Sequence, residues 1–234
     1  GTGTGNLSPG PGARLAQRKA GPTMTIRQAI KRAIKTVFLI LAAPLYLLFL
    51  GLAAITQEDS TFQGFSQALS LIPGKIGTYL RAAFYRLACP DTSDDISVGF
   101  LTLLSHRNTT IKRGVYIGPQ CNIGKCTIGE NTLVGSGVHI LSGSRQHAFD
   151  DTDRPIQEQG GHFEKISIGA DCWLGNGAIV LAPVGNQAIV AAGTVASKPV
   201  RDGEVVAGNP ARVIRNRLET ASASETTPNP LEAR

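Results

Sequence analysis

Residues 115–140 carry the sequence VYIGPQCNIGKCTIGENTLVGSGVHI, in which an aliphatic residue, usually followed by glycine, recurs at a spacing close to six. The pattern returns beyond a polar insertion, from Ile168-Gly169 to Val184-Gly185. A six-residue period fits neither the 3.6-residue repeat of an α-helix nor the two-residue repeat of a strand. It is typical of a parallel β-helix, in which each turn stacks its aliphatic residue on the one beneath. The sequence therefore predicts a mainly β protein built around a hexapeptide solenoid.

The composition of the 234-residue chain agrees with this architecture. Charged residues make up 17%, aromatic residues make up 6%, and there are 27 glycines. Small aliphatic residues suit the narrow interior of a solenoid, and glycine suits its corners. The four cysteines include no CxxC pair, which favours free thiols in a reducing compartment over a disulfide framework.

A basic segment precedes a long apolar run near the N-terminus. The run from Val37 to Ile55 has nineteen residues; at about 1.5 Å each it would extend about 28 Å, close to the ~30 Å thickness of bilayer hydrocarbon. It is longer than the apolar region of a usual signal peptide and lacks a convincing cleavage site, so we expect a retained membrane helix. The net charge is +6, but the basic residues are not interleaved with aromatic ones. A membrane surface rather than nucleic acid is therefore the predicted partner.

Two features of this region predict different arrangements in the membrane. The basic lead, together with Glu58 and Asp59, predicts a spanning helix with a cytoplasmic N-terminus. Pro44 would kink the helix, and a re-entrant or surface-lying helix would return the chain to the cytoplasmic side. Residues 76–88 form a second amphipathic pattern, which predicts an interfacial helix, a cap on the solenoid end, or both at once.

The chain divides into five predicted segments. Residues 205–217 predict a closing strand followed by a short basic C-terminal helix, and residues 142–165 interrupt the solenoid. The segments are a disordered leader (1–24), a basic lead with the hydrophobic helix (25–57), a helical connector (58–95), the solenoid (96–216) and a disordered tail (217–234).

Three sequences within the solenoid carry a family resemblance: DCWLGNGAIV (171–180), AAGTVASKPV (191–200) and AGNPARVIR (207–215). Together with the repeats and the histidine-bearing insertion, this half of the chain resembles the hexapeptide-repeat acyltransferases. The nearer subgroup contains maltose, galactoside and Nod-factor O-acetyltransferases and membrane-associated enzymes that modify surface polysaccharides. The resemblance implies a left-handed β-helix, a homotrimer, active sites between subunits, acetyl-CoA as co-substrate and no metal.

Acyl transfer from a thioester to a hydroxyl requires a base, and histidine suits this role at neutral pH. His147 lies in SGSRQHAFDD, where the insertion leaves the regular repeat, and it matches the family's catalytic position. Carboxylates that follow it could fix its tautomer, namely Asp150, Asp151 and Asp153. The sequence departs from the glycine-histidine-proline of many relatives, because His147 lies between Gln146 and Ala148. His139 is the reserve candidate for the base.

The remaining site residues fall into an acceptor set and a donor set. The predicted acceptor contacts are Trp173, Asp150 and His139. Coenzyme A has a long arm and a phosphorylated end, so it requires a straight groove that ends in cations. By resemblance, the cofactor contacts are Asn176, Ala192, Ser197, Lys198, Arg212 and Arg215.

The expected activity is O-acetyl transfer from acetyl-CoA to a hydroxyl of a surface-polysaccharide or glycolipid precursor, either lipid-linked or soluble. Because acetyl-CoA is cytoplasmic, we expect the catalytic domain on the cytoplasmic face of a bacterial inner membrane. Two alternatives stay open at this point. A γ-class carbonic anhydrase uses a similar solenoid with three zinc-binding histidines, and a non-catalytic solenoid could serve as a membrane scaffold.

Overall fold

A computed structural model describes residues 25–219. The predicted leader (1–24) and most of the predicted tail (220–234) lie outside the described residues. Three helices come first: α1 (Ile26–Ala53), α2 (Glu58–Ser70) and α3 (Gly74–Ala88). Short strands then follow one another to residue 216, with a single 3₁₀ turn at Ile156–Glu158 inside the insertion. This order agrees with the predicted helical lead and solenoid.

The strands form three flat faces of a prism. Face A contains β1 (Ser97–Val98), β4 (Tyr116–Ile117), β7 (Leu133–Val134), β10 (Trp173–Leu174), β12 (Ile189–Val190) and β14 (Glu204–Ala207). Face B contains β2 (Leu103–Leu104), β5 (Asn122–Ile123), β8 (His139–Ile140), β11 (Ile179–Val180) and β13 (Val195–Ala196). Face C contains β3 (Thr110–Ile111), β6 (Cys126–Ile128) and β9 (Ile166–Ile168), and continues as single bridges at Val184 and Val200. All these neighbours pair in parallel, so the predicted β-helix is confirmed.

One aliphatic side chain from each face points into the interior of each coil. In the second coil these are Ile117, Ile123 and Ile128, and all three are fully buried. Each stacks on its counterpart in the next coil, because the parallel register pairs equivalent positions. The core is therefore a set of three aliphatic columns rather than a globular cluster.

Two of the three corners have constant length, and the third does not. From face A to face B, and from face C to face A, the next inward residue follows after six positions in every coil. From face B to face C the spacing varies from seven residues (Leu104 to Ile111) to four (Val180 to Val184). The same corner also admits the insertion 142–165. We call this corner the variable edge; it comprises residues 105–109, 124–125, 141–165, 181–183 and 197–199.

A repeated turn explains why two corners are constant. At each constant corner the third residue after the inward aliphatic has a positive φ, including non-glycine residues such as Leu101 and Gln120. Because the same left-handed residue closes every turn, the number of residues per corner is fixed. The glycine directly after the aliphatic has a different role: a Cβ on Gly175 would lie 2.4 Å from the backbone nitrogen of Ala192 in the next coil.

The helices α2 and α3 cover the N-terminal end of the solenoid. Their aromatic side chains, including Phe62, Phe84 and Tyr85, are buried with Phe49 of α1. In residues 76–88, Ala83 and Phe84 are likewise buried. The structure thus shows the cap. The membrane contact through residues 76–88 stays a prediction, and Ile76 is exposed in this segment.

Arg81 connects these elements. It is a charged residue within the amphipathic segment 76–88, and its side chain is fully buried. Its Nε donates to the carbonyl of Val98 in β1 at 3.0 Å, and its NH1 group donates to Leu69 at 3.0 Å and Ile72 at 2.8 Å, at the end of α2. Burial lowers the pKa of this guanidinium. One side chain therefore joins α2, α3 and the first coil.

Helix α1 continues through Pro44 without interruption, and its re-entrant or surface-lying placement stays a prediction. Among residues 25–219 it is the one helix long and apolar enough to cross a membrane. At the other end of the chain, the predicted closing strand is β14. It is followed by β15 (Arg212–Asn216), which pairs with it antiparallel, and residues 217–219 are helical. The short C-terminal helix therefore begins at Arg217, the last residue of the basic segment, and the rest of that segment forms two strands and the turn between them.

Replacing Arg81 tests its connecting role. We expect Arg81→Met to lower the free energy of unfolding by about 3 kcal/mol, because three buried carbonyls lose their charged donor. Urea titration followed by circular dichroism measures this change. The matched control, Arg86→Met on the exposed side of the same helix, should change stability by about 0.5 kcal/mol or less. Equal effects of the two substitutions would contradict this role.

Candidate active site

The insertion leaves the solenoid at the variable edge of the third coil and forms two paired arms. The backbone N–H of Glu164 donates to Ser142 at 2.9 Å, His162 donates to Arg145 at 2.8 Å, and Ala148 donates to Gly160 at 3.0 Å. These bonds hold the outgoing arm, residues 142–148, alongside the returning arm, residues 160–164. They bring His147 and His162 to one site although fifteen positions separate them in sequence.

A pocket of about 640 Å³ lies between the two arms. It is lined by Ser144, Arg145, His147, Ala148, Phe149, Asp150, Gly161 and His162. The predicted base and one predicted acceptor contact, His147 and Asp150, thus share a pocket. Arg145 and Phe149 were not predicted. The signal that could have identified Phe149 is an aromatic residue in a polar insertion, and its side chain is 68% exposed.

The imidazole of His147 has no hydrogen-bond partner among residues 25–219, and the residue is exposed. Two of the predicted orienting carboxylates belong to the loop tip. Asp151 accepts from the backbone N–H of Asp153 at 3.0 Å, and its own backbone groups bond the side chain of Gln159. Of the three predicted carboxylates, Asp150 is the one that lines the pocket. The ring of His147 is therefore free to take a proton from an incoming hydroxyl.

The close approach of the arms depends on Gly161. A Cβ at this position would lie 1.9 Å from the carbonyl oxygen of Gln146 and 2.9 Å from the backbone nitrogen of His147. Because these contacts are with backbone atoms, side-chain rotation would not relieve them. The absence of a side chain at 161 therefore sets the position of His147.

The structure places the other acceptor candidates elsewhere. His139 points outward from face B, between Asn122 and Ile179 of the adjacent coils. Trp173 points outward from face A, which lies opposite the variable edge, and is 54% exposed. A single chain therefore does not bring Trp173 together with His147.

The predicted cofactor residues form two groups. Ser197, Lys198 and Arg212 line a cleft of about 450 Å³ between the variable edge of the fifth coil and the C-terminal hairpin. Pro199, Val200, Pro210, Ala211 and Val213 give the same cleft an apolar wall. Glu204 also lines the cleft, and one of its carboxylate oxygens accepts from the backbone N–H of Arg201. The cations beside apolar surface suit a phosphorylated ligand with a long organic arm.

The second group lies at the constant corner between faces A and B. Asn176 and Ala192 occupy equivalent positions in adjacent coils there, and the Oδ1 of Asn176 accepts from the backbone of Ser136 at 3.0 Å. Arg215, on β15, pairs with Val205 of β14 at the C-terminal end of face A. These three residues do not line the cleft, and Asn176 has a structural role in closing its corner.

Cysteine chemistry is disfavoured by burial. All four cysteines are buried and free. Burial raises the pKa of the Cys172 thiol, and that of Cys126 to about 12. The Sγ of Cys172 donates to the carbonyl of Gly185 at 3.0 Å. Between residues 25 and 219 of one chain, no three His, Cys, Asp or Glu side chains come together as metal ligands.

Comparison with known proteins agrees with the repeat and the fold. Residues 108–142 match the family described as bacterial transferase hexapeptide (six repeats). A maltose O-acetyltransferase from Clostridium difficile 630 superposes with a TM-score of 0.59, at 19% identity, over 70% of this chain and 90% of that one. A galactoside acetyltransferase solved with coenzyme A gives a TM-score of 0.55, at 20% identity, over 69% and 83%. The chain thus has the left-handed β-helix fold of these proteins, and its repeats match the hexapeptide family of bacterial transferases, so the predicted resemblance is confirmed.

Curated relatives share part of their length with this chain. "Putative acetyltransferase YvoF" of Bacillus subtilis (strain 168) is 28% identical over 141 residues, which are 59% of each protein. "Putative colanic acid biosynthesis acetyltransferase WcaF" of Escherichia coli (strain K12) is 31% identical over 115 residues, 45% of this chain and 57% of the relative. The chain spans less than two thirds of the length of these relatives.

Substitution of Gly161 tests how the arms hold His147. We expect Gly161→Ala to separate the arms, because the new methyl would collide with the backbone of Gln146. A cost of about 1–2 kcal/mol would raise the open population, and hence the rate of tryptic cleavage after Arg145, about tenfold. The control is Gly160→Asn, which has open space around its Cβ and a φ of +75° that asparagine tolerates. Unchanged cleavage of Gly161→Ala would show that the close approach is dispensable.

Proposed function

We propose that this protein is an O-acetyltransferase that moves an acetyl group from acetyl-CoA to a hydroxyl of a surface-polysaccharide or glycolipid precursor. The observation that carries the proposal is the pocket on the insertion, where an unpaired, exposed His147 lies beside Asp150 and His162. The similarity to proteins named as acetyltransferases supports the reaction class. The names of one relative and two structural neighbours support a saccharide acceptor: a colanic acid biosynthesis acetyltransferase, a maltose O-acetyltransferase and a galactoside acetyltransferase.

The mechanism is direct transfer with His147 as the general base. The acceptor oxygen forms a bond to the thioester carbonyl carbon while the imidazole of His147 takes the hydroxyl proton. The carbon–sulfur bond then breaks, and the proton passes from the imidazole to the coenzyme A thiolate. Asp150 and His162, on the same pocket wall, would hold the sugar hydroxyls. General-base assistance of this kind contributes about 10²- to 10⁴-fold to a rate.

The donor would occupy the cleft at the C-terminal end of the variable edge. Lys198 and Arg212 supply cations for its phosphates, and the apolar wall faces its organic arm. Asn176, Ala192 and Arg215 stay candidate contacts of the same ligand. Trp173 and His139 point away from the pocket of their own chain, so a role in acceptor binding requires another subunit. The site therefore supports a homotrimer with catalytic clefts between chains.

We place this enzyme at a bacterial inner membrane, with its solenoid on the cytoplasmic side where acetyl-CoA is available. The apolar helix α1 supports membrane association. The acceptor is then a lipid-linked precursor or a soluble sugar that reaches the membrane surface.

Two substitutions separate the roles of base and donor site. His147→Ala should lower the turnover number by about 10²- to 10⁴-fold and leave the KM for acetyl-CoA unchanged. Lys198→Ala should instead raise that KM about tenfold, through loss of one charge-assisted contact to phosphate, with a similar turnover number. The measurement is transfer of labelled acetyl from acetyl-CoA to membrane lipid-linked glycans.

Both side chains are exposed, so both variants should unfold at the wild-type temperature. Full transfer by His147→Ala would remove this histidine as the base. A wild-type protein that neither binds acetyl-CoA nor transfers acetyl would overturn the acetyltransferase proposal and favour a scaffold.

A further inference from the structure

Helix α1 has two apolar sides, and only one of them is used inside the protein. The inward row packs on the helical cap: Phe38 stacks on Tyr79 with ring centroids 5.3 Å apart, and Ala42 and Phe49 are fully buried. The outward row stays exposed along the whole helix, through Ile26, Ile30, Val37, Ile40, Leu41, Leu47 and Leu48. We call this row the outer stripe. From Ile30 to Leu48 it extends about 27 Å.

The first coil of the solenoid holds both halves of α1. Near the N-terminus, the ammonium groups of Lys31 and Lys35 each lie 2.8 Å from Asp95, just before β1. These contacts hold the pKa of Asp95 at about 2. Near the C-terminus, the guanidinium of Arg107 lies 5.7 Å from the ring centroid of Phe49. The helix residues Lys31 and Phe49 are eighteen positions apart, yet their partners Asp95 and Arg107 both lie at the first coil.

Arg107 also ties the start of α2 to the same coil. Its side chain pairs with Glu58 and donates to the carbonyl of Ala88 at 2.8 Å, and its backbone N–H donates to Asp59 at 2.9 Å. A spanning helix would place Glu58 and Asp59 on the far side of the membrane from the N-terminus. Both residues are instead bound to the solenoid. The two ends of α1 therefore lie on the same side of any bilayer that the solenoid does not enter.

A spanning arrangement conflicts with these contacts. It would draw the cap and the first coil into the hydrocarbon together with α1, because they pack along its length. Lys75 and Arg86 are exposed on this cap, and a charged side chain at the bilayer centre costs about 3 kcal/mol or more. A helix lying in the interface has no such cost, because its charged neighbours stay in water.

The charge on α1 identifies the partner. The helix contains no Asp or Glu, and Arg27 and Arg32 fall on opposite flanks of the outer stripe at 3.6 residues per turn. An apolar stripe between cations fits the boundary between headgroups and acyl chains of a bilayer with anionic lipids, where each cation contributes about 1 kcal/mol. A second copy of the chain paired in parallel would place these cations against like charges, and an antiparallel copy would leave them facing an uncharged apolar segment.

We infer that α1 lies in the plane of an anionic bilayer surface with its outer stripe among the acyl chains, and does not cross the membrane. This inference rests on the membrane association in the proposed function and states its geometry. The bilayer then meets the protein at the N-terminal end of the solenoid. The His147 pocket on the third coil and the donor cleft on the fifth lie successively further from α1 along the variable edge.

Depth measurements test the geometry without any acetyl transfer. Single cysteines at Ile30, Leu41 and Leu52 of the full chain are labelled with an environment-sensitive fluorophore, and Ile214→Cys serves as the solvent reference. The four native cysteines are buried, so labelling at pH 7 is selective for the new site. With vesicles of phosphatidylglycerol and phosphatidylcholine, we expect all three labels at the same shallow depth. A label at Leu41 near the bilayer centre would overturn the inference, whether the helix spans or re-enters.

Binding to the same vesicles tests the partner. Leu41→Glu combined with Leu48→Glu should weaken flotation with anionic vesicles at least tenfold, and vesicles of phosphatidylcholine alone should bind the wild type weakly. The control Ile214→Glu, at an exposed apolar residue on β15, should bind as the wild type does. Loss of a concentration-dependent oligomer in the double variant, with vesicle binding unchanged, would assign the stripe to a second copy and overturn the proposal. Because these readouts need no acceptor or donor, a failure here leaves the acetyltransferase proposal to be judged by its own assay.

Discussion

Each coil of this solenoid has to place one aliphatic side chain from each of three faces into an interior too narrow for anything larger. The parallel register stacks these side chains in columns, so an error in one coil would displace the column above it. Two corners meet this constraint by repeating one turn with a left-handed residue at the same position. The third corner is free of that turn. Every departure from the six-residue period therefore falls on one edge of the prism.

Three of the clefts with polar linings on the solenoid follow from that freedom. The His147 pocket, the cleft with Lys198 and the junction with α2 at Arg107 all open at the variable edge. Flat faces of short strands offer few concave surfaces, whereas a corner that changes length from coil to coil leaves gaps between successive turns. The same packing rule that keeps two edges regular thus concentrates recognition on the third.

The sequence predicts those parts of the structure that depend on the local residue pattern alone. The aliphatic columns follow from spacing alone, and the break in the period locates the insertion with His147. The burial of Arg81 could not be predicted, because its partners are three carbonyls from two separate segments and no nearby residue marks it. Hydropathy likewise could not show how α1 is placed, since an apolar side chain has the same character against protein or lipid. The presence of His147 and His162 in one pocket depends on backbone bonds between the arms, and the separation of Asn176 from Lys198 depends on which corner each occupies.

The two ends of the solenoid have a consequence for its behaviour in a crowded cell. A stack of parallel strands with open ends exposes unpaired backbone groups to which further strands can add, and such ends promote fibre growth. Here α2 and α3 cover the first coil, while β15 pairs with β14 at the last. The segment between those strands also covers face B, because Val195 donates to Gly208 and accepts from Ala211, both at 3.0 Å. The coil number is thereby finite, and a fold that could polymerise end to end stays a discrete particle.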